Sequence, residues 1–98
     1  MTSFEYEGKS YDLKMTRAGV RAAEAQGLSS SQISEKPQSA VTLLFFASLF
    51  SQYKLNPNKA ASMLDDLFDD GTLKFGDLFE SLSEAYVELF DLGESEKK

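Results

Sequence analysis

Ala40-Val41-Thr42-Leu43-Leu44-Phe45-Phe46-Ala47-Ser48-Leu49-Phe50 is the most apolar window of the chain, and the fold turns on how its faces are used. At 100° per residue, Leu43, Phe46, Ala47, Phe50 and Tyr53 line one stripe of a helix expected over 38–53, with Phe45 and Leu49 widening it. Ser48, Ser51 and Gln52 mark a polar sector, yet Val41 and Leu44 fall inside that sector and Phe45 lies at its edge. A helix apolar nearly all round is either enclosed or faces a partner. A small four-helix chain has little material with which to enclose one of its helices. Val41, Leu44 and Phe45 are therefore the candidate partner-binding residues. The competing arrangement wraps this helix completely with the rest of the chain.

Towards the C-terminus, Asn56-Pro57 is an N-cap followed by proline at the first helical position. The helix it opens is expected over 57–70, ending at Gly71, with Ala60, Leu64, Leu67 and Phe68 on its buried face. A last helix, over 73–92, shows the clearest periodicity. Phe75, Leu78, Phe79, Leu82, Ala85, Tyr86, Leu89 and Phe90 recur at threes and fours opposite Asp77, Glu80, Glu84, Glu88 and Asp91. Gly93 is expected to end it, leaving 93–98 as a flexible, solvated tail.

Towards the N-terminus, 28–38 is expected to be a Ser-rich loop, in which Ile33 is the only apolar anchor after Leu28. Thr16 can cap a short surface helix within 16–27, closed by Gly27 in a left-handed conformation and by Leu28 after it. Gly19 weakens that helix. In 4–15 apolar and polar residues alternate on either side of Gly8-Lys9, the pattern of a β-hairpin with one buried face. A lone hairpin is marginal in water, so it must lie against something apolar. The expected fold is mainly α (α+β): one domain, 1–98, with a short N-terminal hairpin followed by about four helices. Phe46, Phe50, Leu64, Phe68, Phe79, Leu82 and Phe90 are its expected core.

Composition narrows function. The chain has no Cys and no His. Disulfides, thiolate nucleophiles, the usual general base and the usual zinc ligands are thereby removed. The net charge is −6, divided as +1 over residues 1–54 and −7 over 55–98. That balance argues against nucleic acid or an anionic membrane as partner, and the N-terminus lacks the basic-then-apolar run of a secretory signal. The apolar window is also well short of the roughly 18–20 residues that cross a bilayer.

Asp65, Asp66, Asp69, Asp70 and Gly71 suggest a calcium loop. With Gly71 at the sixth position, however, Phe68 falls at the third, Lys74 at the ninth and Asp77 at the twelfth, so the ligand set does not close around an ion. The carboxylates sit on periodic polar faces, without the contrasting environments that separate an acid from a base. Gly71, Gly76 and Gly93 form no phosphate cradle. The expectation is a non-enzyme with no cofactor and no metal.

The order of features adds a resemblance. Phe4-Glu5-Tyr6-Glu7-Gly8-Lys9-Ser10-Tyr11-Asp12-Leu13 leads into a helix ending Glu24-Ala25-Gln26-Gly27-Leu28. A Ser-rich loop, the apolar helix Leu43-Leu44-Phe45-Phe46-Ala47-Ser48-Leu49-Phe50, Asn56-Pro57 and an acidic C-terminal helix follow. To about Leu92 this resembles the small tail assembly chaperones of long-tailed bacteriophages, especially those of Gram-positive hosts. The resemblance implies a non-catalytic protein of the host cytoplasm that binds and solubilises the tape measure protein. It also implies help for tail tube protein to polymerise, self-association, and absence from the mature virion. Such chaperones often have a frameshifted longer form, for which Lys97-Lys98 marks a place. The alternative from another class is an acidic DNA mimic or regulatory inhibitor that uses the C-terminal helices.

Overall fold

Local rules place most of the elements. A computed structural model describes residues 3–97, without the side chains at positions 30, 51 and 90–97. The chain runs β1 (Ser3–Tyr6), β2 (Lys9–Asp12), α1 (Arg17–Glu24), α2 (Ser30–Glu35), α3 (Pro37–Tyr53), α4 (Pro57–Asp69) and α5 (Phe75–Lys97). It is a small single domain in which, as expected, an antiparallel hairpin precedes several helices, five among the described residues.

The hairpin pairs Phe4 with Tyr11 and Tyr6 with Lys9, leaving Glu7-Gly8 as a two-residue turn. Both turn residues have positive φ, 52° and 78°, the type I′ geometry whose twist matches the flanking strands. Phe4 stacks on Tyr11 with ring centroids 5.4 Å apart and meets Phe45 of α3 at 5.6 Å.

Thr16 accepts the Gly19 amide at 3.0 Å and caps α1. At the other end Gly27 takes φ 112°. Its amide bonds to the Glu24 carbonyl, and that of Leu28 to the Ala23 carbonyl, so two end carbonyls are satisfied. Asn56 caps α4 by accepting the Lys59 amide at 2.7 Å, and Lys54 closes α3 in the left-handed region at φ 56°.

Two expected element boundaries need correction here. The segment 28–38 is not a loop, because it contains α2. Ser29 accepts the Gln32 amide at 3.1 Å; Ser29-x-x-Gln32 is a capping-box spacing, and Ile33 gives the short helix a half-buried foot. Lys36 then stops it, since a residue before proline is driven out of the helical region. Gly93 does not end α5, which stays helical to Lys97. An isolated glycine costs about 1 kcal/mol in a helix but needs a left-handed turn to stop one.

α1 is short and exposed along one side, but its other side is packed closely. Gly19 is buried, and a Cβ at that position would collide with the Ala47 carbonyl oxygen of α3. The glycine that weakens α1 in isolation lets two backbones approach.

α3 is the hub: α1, α2, α4 and α5 all pack on it. Ala40, Val41, Leu44, Phe45, Ala47, Ser48 and Leu49 have no exposed surface, whereas Leu43, Phe50 and Tyr53 are only half-buried. The expected core stripe is thus mixed: Phe46 and Ala47 are buried, while Leu43, Phe50 and Tyr53 are less covered than Val41, Leu44 and Phe45. Among the other expected core residues, Phe46, Leu64 and Leu82 are buried, Phe68 and Phe79 half-buried, and the Phe90 side chain lies outside the described set.

Candidate interaction surface

Val41, Leu44 and Phe45 come together, but inside the core, and this corrects their assignment to a partner-binding surface. Phe4 of the hairpin lies against Phe45, the other four helices pack on α3, and the chain leaving the hairpin is bonded to the second half of α3. The Lys14 amide donates to the Ser48 carbonyl at 3.0 Å, the Asp12 amide to the Tyr53 hydroxyl at 3.0 Å, and the Gln52 side-chain amide to the Asp12 carbonyl at 2.9 Å. Ser48, expected to face solvent, instead donates its hydroxyl to the Phe45 carbonyl at 2.9 Å. Its polar group is satisfied within the helix, so burial carries little penalty.

The acidic residues of α4 gather beside the hairpin. Glu5, Tyr6, Glu7, Asp66, Asp69 and Asp70 line a shallow hollow. The Tyr6 hydroxyl donates to Asp66 Oδ2 at 2.6 Å, and this bond, more than burial or the Asp66 charge, pushes the Tyr6 pKa up to about 12. Asp70 accepts the Thr72 amide at 2.9 Å, and its bonds with Thr72 hold its carboxyl below the usual range. Here the carboxylates are tied to the turn and the hairpin. Among the described residues no group of three acidic side chains is arranged to hold a metal ion, and no helix is long and apolar enough to cross a membrane.

Exposed apolar surface lies elsewhere. Val87, in the second half of α5, is 49% exposed and sits in an open dent lined by Ser83, Glu84, Val87 and Glu88. Phe79, two turns earlier, is turned more towards the core: it is half-buried and stacked on Phe75 at 5.5 Å, and Phe75 in turn meets Phe68 of α4 at 6.1 Å. Leu78, Leu82 and Tyr86, each one position before Phe79, Ser83 and Val87, anchor α5 to the core. Sequence reasoning missed Val87 because it belongs neither to the apolar stripe nor to the acidic face. Its signal was the mismatch itself, a β-branched apolar residue between Glu84 and Glu88.

The domain family described as Domain of unknown function (DUF5055) matches residues 2–98. No curated protein and no solved structure matches the chain.

Proposed function

The chain belongs to the DUF5055 family, and we propose that it acts as a non-catalytic phage tail assembly chaperone that binds the tape measure protein and keeps it soluble. In this reading it works in the host cytoplasm, self-associates, assists the tail tube protein and is left out of the mature virion. The observation that carries the proposal is the order of elements: a hairpin, a short capped helix, the Ser-rich segment, the apolar α3, Asn56-Pro57 and then the acidic α4 and α5. The resemblance to these chaperones rests on that order, with a loop where this chain has α2 in the Ser-rich segment. A net charge of −6 suits the same role, since like-charged complexes stay apart in solution.

The burial of Val41, Leu44 and Phe45 changes the mechanism first expected. A holdase does not have to offer α3, which the hairpin and its neighbours already occupy. Client contact falls to surfaces outside that helix.

The test is to look for a tape measure gene beside the gene for this chain and to co-express the two proteins. The expected result is a large rise in soluble tape measure protein and a complex that survives high salt. Tape measure protein that stays insoluble with the chain present would refute the reading. Salt-sensitive capture of a purified repressor or nuclease would favour the rival, a DNA mimic presenting Asp65, Asp66, Asp69 and Asp70.

A further inference from the structure

α5 carries two parallel rows. Phe79, Ser83 and Val87 stand at i, i+4 and i+8, while Glu80, Glu84 and Glu88 run beside them with the same spacing. Rows four residues apart are the ridges along which helices interdigitate. The first row is half-buried Phe79, small Ser83 and exposed Val87, so its exposure rises towards Val87. A dent of about 290 Å³ lies between the two rows, lined by Ser83, Glu84, Val87 and Glu88. The second row is exposed, and none of its carboxylates is paired with a cation among the described residues.

We infer that this double row docks an amphipathic helix of a client protein: one with a large apolar side chain over Ser83 and Lys or Arg at i and i+4 along the edge facing Glu84 and Glu88. The apolar row supplies the burial that holds a complex together, and the carboxylate row sets the approach and orientation of the partner. Charge complementarity selects the occupant. A second α5 would bring glutamates against glutamates, and an acidic helix would be repelled. The inference rests on the chaperone reading for the identity of the client, but the surface can be tested without it.

The probe is a short synthetic amphipathic helix with leucines on one face and lysines along one edge. Its twin carries glutamates in place of the lysines. Fluorescence anisotropy on the full chain should show the lysine peptide binding at least about tenfold more tightly, with a preference that shrinks as salt rises. Val87→Lys should weaken it about tenfold or more with an unchanged melting temperature, and Glu84→Lys should erase the preference. Equal binding of the two peptides, no binding of either, or a Val87→Lys protein that binds normally would overturn the proposal. So would a wild-type oligomer that Val87→Lys dissociates while peptide binding stays the same, because the row would then be a self-contact. Co-expression separates the two readings. Tape measure protein solubilised equally by wild type and Val87→Lys sinks the surface alone. A client that wild type fails to solubilise sinks the chaperone reading, while the peptide titration still judges the surface.

Discussion

α3 and α5 are both rich in Leu and Phe, yet one is enclosed and the other lies along the outside. α3 has apolar residues in nearly every direction, and its side chains from Ala40 to Leu49 are at most half-exposed. α5 buries Leu78, Leu82 and Tyr86 on one side while Glu80, Glu84, Val87 and Glu88 remain in solvent. Sidedness in a sequence says where a helix meets solvent. When it is missing, the neighbours decide, and here the other four helices and Phe4 of the hairpin leave no open side in the sector that periodicity left ambiguous. A helix without a polar face marks a centre in this fold, not a docking strip.

The largest expected effect breaks α3 at its middle. Leu44 has no exposed surface, so Leu44→Glu buries a charge without a partner. The penalty rivals the roughly 5–15 kcal/mol that holds a domain of this size together. Circular dichroism should show loss of cooperative melting. A Leu44→Glu protein that melts like wild type would mean that α3 does have an open face.

Gly19→Ala is next. In a free helix the change would stabilise by about 1 kcal/mol. Here the new methyl meets the Ala47 carbonyl, and overpacking of this kind costs about 1–3 kcal/mol. The measured sign tells whether α1 is clamped to α3, since a gain in stability would show that α1 is free to shift.

What the sequence disclosed was whatever a few neighbouring residues settle by themselves. Asn56-Pro57, Thr16 and Gly27-Leu28 carry their capping chemistry with them, and Gly8 its turn. What it hid depends on distant partners. The Lys14 amide bonds to Ser48 through the backbone, which no side-chain pattern records, so Ser48 read as a solvent marker and Val41, Leu44 and Phe45 as surplus. Gly19 read as a weakness because its reason lies on another helix. α2 is a different case: its Ser29-x-x-Gln32 signal was present and was outweighed by the density of serines. Val87 was legible only as an exception to the stripe of α5.

A smaller effect sharpens the account of the cover over α3. Glu7 sits at φ 52°, a region that disfavours residues with a Cβ other than Asn and Asp. Asn-Gly is the preferred type I′ pair. Glu7→Asn should therefore stabilise the protein by about 0.5–1 kcal/mol. It also removes one carboxylate from the hollow shared with Asp66, Asp69 and Asp70. Denaturant melts would read the gain directly. No change would indicate that the hairpin opens before the helices unfold.

The smallest expected effect is on α5, at the position most unlike Leu44. Val87 keeps 49% of its surface in solvent, so replacing it forfeits little burial. Lys has a higher helix propensity than the β-branched Val, and the new ammonium lies three residues after Glu84, within reach of its carboxylate. These gains and the lost contact should cancel to within about 0.5 kcal/mol, the usual range for surface changes. Leu44→Glu and Val87→Lys each place one charge on a Leu- and Phe-rich helix, so chemistry alone ranks them together. If Val87→Lys destabilised the fold as Leu44→Glu is expected to, the outer face of α5 would be packed in solution and the contrast between the two helices would collapse. If it melts with wild type, position 87 is free to be read by binding measurements alone.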